Sequence, residues 1–325
     1  MIYAVINQKG GVGKSTTAAA LWAGLTGKGY KTLAIDLDAQ GSLTNTARAE
    51  NGKGQLTALS VLTREATAQE AIQHTQDGDI IAASRKLAGA DKIITDTGKE
   101  YQLKEAIQDI KACYDYIIID TPPALGILTI NALTAADSVI IPAFADAYSL
   151  QGIDQLMDTI TPVKQYCNQA LTIAGILLTR HNPRTVLSRD IETYLKDTAK
   201  KLNTRVFKAT IREAVTIKEA QLKRQSIFKY APIANVTFDY LNFISEITDQ
   251  EKQEQQAAAL EALSELCLKN DFYDLHTKAF KPEAFITEAR KLNILDEYTR
   301  AFIKKRHKLT EQALKEAFKE ADKRE

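Results

Sequence analysis

A glycine-rich segment near the start of the chain carries lysine and hydroxyl side chains at a spacing suited to phosphate binding. It reads Lys9-Gly10-Gly11-Val12-Gly13-Lys14-Ser15-Thr16. A strand, such a turn and a helix N-terminus together form an anion site, because backbone N–H groups point into the loop and the helix dipole adds about half a positive charge. Lys14 can then pair with the β- and γ-phosphates of a nucleoside triphosphate, and the Ser15 hydroxyl can ligate Mg²⁺.

Three aspartates follow apolar runs that predict strands. Asp36 and Asp38 end one run, and Asp120 ends another. Two carboxylates separated by one residue face the same side of an extended chain. Since Mg²⁺ keeps several waters and takes few protein ligands, Ser15 together with carboxylates acting through water suffices to hold it. Each aspartate alone could equally be a turn residue or a helix cap, but their occurrence together with the glycine-rich loop favours one shared site.

The rest of the pattern supplies the elements that position these groups. Short runs rich in Ile and Val alternate with helical stretches. We predict a helix over residues 15–25 and strands over residues 2–6, 31–36, 116–120, 138–142 and 171–178. Such strands imply an α/β fold with a mostly parallel, twisted sheet covered by helices on both faces. Ligands of these sheets bind beyond the carboxyl ends of the strands, where the loop and the aspartates are expected.

Composition narrows the class of protein. The chain has 325 residues, of which 45% are apolar and 26% charged, as in soluble globular proteins. No apolar run approaches the roughly 20 residues that span a bilayer. Cys113, Cys167 and Cys267 are widely spaced without a CxxC pair, which argues against a disulfide framework or a metal site and is typical of a reducing compartment. We therefore expect a cytoplasmic protein with no membrane partner.

The pattern changes after residue 248, where a polar, Gln-rich stretch precedes helical periodicity. Apolar residues then share helix faces in three groups: Leu260, Leu263 and Cys267; Phe285, Ile286 and Ala289 after Pro282; and Leu314, Ala317, Phe318 and Ala321 after Thr310. We divide the chain into an α/β domain, residues 1–248, and a C-terminal helical extension, residues 249–325. The basic run at residues 304–308 could contact nucleic acid, although a charge cluster at a helix end explains it more simply. The extension could also hold a partner protein or reinforce a dimer.

Lysine and arginine are concentrated between residues 180 and 230, although the net charge of the whole chain is only +1. Thirteen basic residues stand in this segment against five acidic ones. A local excess of positive charge within a neutral chain predicts a polyanionic partner. Solvated helix faces are the alternative explanation, because Lys and Arg are common on any protein surface.

The glycine-rich loop resembles the deviant Walker A box of the ParA/MinD family of ATPases, in which Gln commonly stands at the position of Gln8. Thr121-Pro122-Pro123 after Asp120 resembles the family's Walker B motif. The resemblance covers residues 1–248 and is strongest to ParA/Soj-type partition ATPases. It implies a P-loop NTPase fold and an ATPase that hydrolyses ATP to ADP and phosphate with Mg²⁺.

The resemblance also implies roles for individual residues. ATP would be bound by the loop residues Lys9, Gly10, Gly11, Val12, Gly13, Lys14, Ser15 and Thr16. Ser15, Asp36 and Asp120 would hold Mg²⁺ and its water shell, and Asp38 would orient or activate the attacking water. The implied catalytic residues are Lys9, Lys14 and Asp38. Lys9 would contact the phosphates bound by the partner subunit, so that ATP binding drives formation of a homodimer.

ParA-type proteins bind nonspecific DNA as ATP dimers through basic residues in the last third of the ATPase domain. The resemblance therefore makes the following residues candidates for DNA binding: Arg189, Arg212, Lys218, Lys223 and Arg224. It implies a nucleoid-associated protein that segregates DNA, with hydrolysis stimulated by a ParB-like centromere-binding adaptor. The alternative is a ParA/MinD-type ATPase that positions a protein or membrane cargo without DNA. A binding module with a vestigial loop is disfavoured, because no catalytic position is missing.

Overall fold

A computed structural model of the chain describes residues 1–144, 147–181, 186–267, 272 and 280–323. The chain divides into two compact units, Met1–Glu246 and Ile247–Glu325. The boundary predicted after residue 248 differs from this division by two residues.

A seven-stranded sheet forms the centre of the first unit. Its strands are β1 (Ile2–Val5), β2 (Thr32–Asp36), β3 (Ile72–Thr75), β4 (Gly78–Ile81), β5 (Tyr116–Asp120), β6 (Ser138–Phe144) and β7 (Thr172–Thr179). Their order in the sheet is β3-β4-β2-β5-β1-β6-β7. All neighbouring strands are parallel except β3 and β4, which form an antiparallel hairpin at one edge. The mostly parallel sheet predicted from the sequence is confirmed.

Helices surround this sheet and form most of the second unit. Those that the structure describes are α1 (Lys14–Gly27), α2 (Ser42–Ala47), α3 (Ala58–Leu62), α4 (Ala68–Ala71), α5 (Ala90–Ile93), α6 (Gln102–Ala106), α7 (Ile127–Ala135), α8 (Ala147–Tyr166), α9 (Val186–Lys201), α10 (Val215–Leu222), α11 (Ile227–Tyr230), α12 (Asn235–Cys267), α13 (Pro282–Lys291), α14 (Asp296–His307) and α15 (Glu311–Asp322). Within the described ranges, no helix combines the length and apolar content needed to cross a bilayer.

The central strands are covered on both faces. Every residue of β1, β2 and β5 is buried. Because successive side chains of a strand point to opposite faces, complete burial requires packing on both sides of the sheet. The run of Ala in α1 favours a helix, since Ala has the highest helix propensity, and its small side chains allow close packing against β5 and β2. The glycine-rich loop is thereby fixed between a buried strand and a buried helix.

The second unit has an apolar core of its own. Phe285, Ile303 and Leu314 are fully buried there, together with Leu263 from α12. Pro282 occupies the first turn of α13, and the Thr310 hydroxyl accepts a hydrogen bond from the N–H of Ala313 at the start of α15. These are the helix starts predicted from the sequence. The polar stretch at residues 249–256 lies within α12, where most of its side chains are exposed.

Candidate nucleotide-binding site

The glycine-rich loop connects β1 to α1 and takes a conformation that depends on glycine. Gly11 and Gly13 have φ angles of +73° and +88°. These angles lie in the left-handed region, which strains residues with a side chain. The Gly13 carbonyl accepts the N–H of Thr17 at 2.8 Å, so α1 starts directly at the loop. The N-terminus of α1 therefore faces the space enclosed by the loop, as an anion site requires.

Lys14 is the first residue of α1, and its side chain returns over the loop. Its ammonium group donates to the Lys9 carbonyl oxygen at 3.1 Å, and the residue is only 6% exposed. Burial lowers the pKa of Lys14, while the negative charges of Asp120 and Asp38 act against this shift. Lys14 thus lies between the loop and the aspartates, where a phosphate would meet it.

Asp36 and Asp120 occupy paired positions at the carboxyl ends of β2 and β5. The Asp36 carboxylate accepts hydrogen bonds from the N–H and the hydroxyl of Thr44, both at 2.8 Å, and from the N–H of Asp38 at 3.1 Å. Burial nevertheless raises the pKa of Asp36 to about 6, because these hydrogen bonds compensate only part of the lost hydration. The same bonds fix the loop that carries Asp38.

Asp120 is fully buried, and neither of its carboxylate oxygens has a hydrogen-bond partner among the described residues. Burial and then the charge of Asp36 hold its pKa well above the ordinary value. Ser15 lies near enough to counter part of this rise, without hydrogen-bond geometry to either oxygen. A buried carboxylate without partners is costly unless a cation neutralises it. The environment of Asp120 therefore fits a cation beside Ser15.

A direct ligand cage is absent from the part of the chain that the structure describes, where no three His, Cys, Asp or Glu side chains are grouped to ligate a metal. One hydroxyl with carboxylates that act through water fits Mg²⁺, which keeps most of its waters. Asp36 lies opposite Asp120, and Ser15 lies near Asp120. Their roles in holding Mg²⁺ stay predictions.

A cleft of about 430 Å³ opens over the loop. Its walls include the predicted site residues Gly10, Gly11, Gly13, Lys14, Ser15, Thr16 and Asp38. Val12 is buried behind the loop, where its carbonyl accepts the Thr179 hydroxyl at 2.8 Å. The opposite wall comes from the end of β7 and from α10, through residues such as Thr179 and Ile217. The volume and the mixed polar and apolar walls are suited to a nucleotide.

Lys9 is not among the residues that line the cleft. Its ammonium lies 5.5 Å from the centroid of the Phe144 ring, and the guanidinium of Arg180 lies 4.7 Å from the same ring. Arg180 also forms an ion pair with Glu213 at 2.6 Å. The Lys9 side chain therefore lies against Phe144, on the same ring as the cleft-lining Arg180.

The structure adds positioning residues that were not identified from the sequence. Asn7 lies between the loop and β6, donating to the Pro142 carbonyl at 2.7 Å and accepting the Lys9 N–H at 2.9 Å. An Asn two residues before a turn N–H is a local signal that could have revealed part of this role. Gln221 of α10 donates to the Thr16 hydroxyl at 3.0 Å. No local signal could have revealed Gln221, because its partner is 205 residues away.

The five candidate DNA-binding residues fall into different environments. Arg212 and Lys218 line the nucleotide cleft, and Arg212 forms a two-pronged ion pair with Asp239 at 2.7 and 2.8 Å. Lys223 and Arg224 are exposed at the C-terminal end of α10. Arg189 belongs to α9, but its side chain is outside the described residues. The DNA contacts of all five stay predictions, and the guanidinium of Arg212 is already engaged by Asp239.

Comparison with known proteins finds similar chains over most of the length. Residues 1–173 match the family model described as an AAA domain. The sporulation initiation inhibitor protein Soj of Bacillus subtilis is 37% identical over 249 residues, covering 76% of this chain and 97% of Soj. The chromosome partitioning protein ParA of Caulobacter vibrioides is 34% identical over 263 residues, covering 79% of this chain and 97% of that protein.

Solved structures are similar in fold to about three quarters of this chain. Cobyrinic acid a,c-diamide synthase from Mycobacterium smegmatis, solved with bound ADP and magnesium, has a TM-score of 0.67 at 33% identity, over 77% of this chain and 95% of that one. A putative plasmid partition protein from Borrelia burgdorferi, solved bound to AMPPNP, has a TM-score of 0.66 at 24% identity, over 77% of this chain and 98% of that one. The second of these likenesses bears on the fold alone.

Proposed function

Because this chain belongs to the family of ParA-type partition ATPases, we propose that it binds and hydrolyses ATP with Mg²⁺ and that its ATP-bound form binds DNA during segregation. One observation carries the nucleotide part of this proposal. Asp120, which has no hydrogen-bond partner among the described residues, lies opposite Asp36 and near Ser15 and Lys14, and these last two residues line the cleft over the glycine-rich loop. Such an arrangement is unfavourable until a cation enters it, and the cation can in turn hold a phosphate.

The catalytic roles follow from the charge that phosphoryl transfer spreads over the γ-phosphate oxygens. Mg²⁺, when bound, neutralises part of that charge. Lys14 leaves the Lys9 carbonyl and pairs with the phosphates, and the N-terminus of α1 holds the phosphate oxygens with backbone N–H groups. Asp38 lines the cleft and orients the attacking water, with its own backbone fixed by the hydrogen bond to Asp36. Positioning and electrostatics thus supply the rate enhancement.

Lys9 is the residue that makes the site depend on a second subunit. We infer that it contacts the phosphates bound by the partner in an ATP-dependent homodimer. Its ammonium lies beside Phe144 and Lys9 does not line its own cleft, which supports a role outside its own subunit. The proposal includes a ParB-like adaptor that stimulates hydrolysis and resets the dimer, and DNA held through phosphate contacts that need charge rather than base recognition.

Two variants test the nucleotide chemistry. Lys14→Ala should weaken ATP binding by at least about tenfold, because it removes a charge-assisted hydrogen bond to phosphate. Asp38→Ala should retain ATP binding and dimerisation but lower turnover by about a hundredfold, since the water loses its positioning group. Lys104→Ala and Asp109→Ala change exposed residues outside the cleft and serve as matched controls. Wild-type turnover by Asp38→Ala would overturn the assignment.

DNA binding is tested with nonspecific duplex DNA in a salt titration. The wild-type protein should bind more tightly with ATP than without nucleotide. The double variant Lys223→Ala, Arg224→Ala should reduce the salt slope by about 0.9 for each phosphate contact removed. The double variant Lys104→Ala, Lys111→Ala changes charge equally at a different surface and should bind as the wild type does. If the wild type shows no ATP-dependent, salt-sensitive binding, the alternative of a positioning ATPase acting on a protein or membrane cargo replaces the DNA proposal.

A further inference from the structure

The C-terminal end of α10 is held by an arginine that lies far from it in the sequence. Arg48 follows α2, and its guanidinium donates to the Arg224 carbonyl at 2.8 Å and to the Lys223 carbonyl at 3.2 Å. These carbonyls lie where the helix has no further N–H groups to offer, so the guanidinium satisfies acceptors that the helix leaves open. The contact joins residues 175 and 176 positions apart in the chain.

Arg48 adopts a backbone conformation that is unfavourable for its residue type. Its φ angle is +57°, in the left-handed region. A residue other than glycine keeps such an angle when surrounding contacts fix it. Here the Arg48 N–H donates to the Asn45 carbonyl, which ends α2, while the side chain reaches α10. The strained turn directs the guanidinium to the end of α10.

A short path of hydrogen bonds leads from the residue next to this arginine to the carboxylate of Asp36. Thr44 in α2 donates both its N–H and its hydroxyl to Asp36. Ala49, the residue after Arg48, donates its N–H to the Thr44 carbonyl. Hydrogen bonds thus connect Asp36, through Thr44 of α2, to the residue next to Arg48.

The other side of α10 is tied to the glycine-rich loop. Gln221 donates to the hydroxyl of Thr16, the neighbour of Ser15, at 3.0 Å. Ile217 and Lys218 of the same helix line the cleft. The helix that carries Lys223 and Arg224 at its end is thus hydrogen-bonded both to the phosphate loop and to the segment that follows the aspartates.

We propose that Arg48 is a positioning residue that couples the nucleotide state of the cleft to the placement of Lys223 and Arg224, and thereby to affinity for the DNA phosphate backbone. This inference rests on the proposed DNA-binding function. Arg48 fixes the end of α10 in one position when the cleft is filled, so that the two cations are held ready for phosphates. Coupling of this kind is reciprocal: DNA must raise the affinity for ATP by the same factor by which ATP raises the affinity for DNA.

The test compares Arg48→Lys with the wild type and with Arg64→Lys. Lys keeps the charge but cannot reproduce the two-pronged contact. Arg64 is a matched control, because it is also exposed, has a φ of +59° and donates to two side chains, Gln102 and Glu105, outside the cleft. DNA affinity is measured with a non-hydrolysable ATP analogue and without nucleotide, and analogue affinity is measured with and without DNA. Thermal unfolding of each variant checks the fold.

For Arg48→Lys we expect the ratio of DNA affinities with and without the analogue to fall by about fivefold or more, with an equal loss in the reverse measurement. Arg64→Lys should leave both ratios as in the wild type. If Arg48 only adds positive charge, Arg48→Lys keeps the ratios and the inference is wrong. Arg48→Ala gives a second comparison. If it lowers DNA affinity by the same factor with and without the analogue, Arg48 does not couple the two sites and the inference is wrong.

A second measurement does not depend on DNA. Hydrogen exchange of the backbone amides at residues 223–225 reports the end of α10, where each N–H donates back into the helix at 3.0 Å. The wild type should gain protection there on binding the analogue, and Arg48→Lys should not. Wild-type protein that fails to bind DNA but shows this protection would overturn the proposed function and leave the coupling intact. Wild-type protein that binds DNA without this protection would overturn the coupling alone.

Discussion

Asp36 lies directly opposite Asp120 in the parallel pairing of β2 and β5. Both carboxyl groups are fully buried, and each pKa is raised by burial. Three donated hydrogen bonds satisfy Asp36, whereas Asp120 has none among the described residues. The protein thus maintains at this position an electrostatic cost that a bound cation would relieve.

We expect Asp120→Asn to stabilise the protein in the absence of Mg²⁺ and nucleotide. The substitution replaces a buried carboxyl group, whose oxygens have no hydrogen-bond partner among the described residues, with a side chain of nearly the same volume that cannot become negatively charged. A gain of about 1 kcal/mol would raise Tm by about 2–4 °C. Thermal unfolding in EDTA and in Mg²⁺ with ATP checks this: the wild type should gain stability from the ligands, and the variant should lose that gain. If the variant has a lower Tm than the wild type in EDTA, the buried Asp120 does not destabilise the ligand-free protein and the prediction is wrong.

The stability of the ligand-free protein should depend on pH through Asp36. The folded protein binds the Asp36 proton more tightly than the unfolded chain does, because the pKa is raised from 3.8 to about 6. The contribution of Asp36 to the free energy of unfolding therefore falls as pH rises from about 4 to about 6, and it rises again when the pH is lowered. From about pH 7 to about pH 5, the wild type should gain about 1 kcal/mol relative to Asp36→Asn. Urea unfolding of both proteins at the two pH values measures this difference, and equal pH dependence would contradict it.

Asn7→Ala should weaken nucleotide binding as well as stability. It leaves the Pro142 carbonyl and the Lys9 N–H without their partner, at a cost of about 1–3 kcal/mol, and frees the start of the phosphate loop. Asn168→Ala is the matched control, since Asn168 also donates to two carbonyls, those of Leu133 and Ala136, outside the cleft. Calorimetric titration with an ATP analogue should show weaker binding for Asn7→Ala and wild-type binding for Asn168→Ala. Equal ATP affinity of both variants would mean that Asn7 is only structural.

Phe285→Ala should destabilise the second unit. Phe285 is fully buried, with Phe272 edge-on at 5.2 Å and Phe302 stacked at 5.8 Å between ring centroids. Removing such a ring costs about 3–5 kcal/mol through lost burial and the cavity left behind. Limited proteolysis should cleave the variant faster within residues 247–325. ATP binding is the control, because every residue of the nucleotide cleft belongs to the first unit.

Local patterns were sufficient for most of the fold and the core of the site. The glycines, Lys14 and Ser15 are contiguous, so their geometry follows from a strand, a turn and a helix start. The short antiparallel hairpin of β3 and β4 was not predicted. Its first strand, Ile72–Thr75, contains a single aliphatic residue and lies at the sheet edge, so it lacks the apolar run that marked the buried strands.

The basic segment at residues 180–230 shows the limit of composition. Arg212 and Lys223 are both exposed, yet the Arg212 guanidinium is held by Asp239, whereas Lys223 lies at the C-terminal end of a helix. Ion pairing between residues 27 positions apart depends on how α12 packs against the segment after β7. Charge counting cannot distinguish these two environments.

The sequence by itself determined the two-lysine phosphate loop, the three aspartates at strand ends and the alternation of strands and helices. These features depend on residues that are adjacent in the sequence, so local backbone preferences are sufficient to form them. The tertiary structure decided that Asp36 faces Asp120, that Lys9 packs beside Phe144, and that Arg48 and Gln221 hold α10 from two sides. Those relationships join residues far apart in the chain, so they exist only once strand register and helix packing are fixed. The glycine-rich loop predicts that a nucleotide binds, and the packing around the loop determines which other residues lie close enough to be affected by that nucleotide.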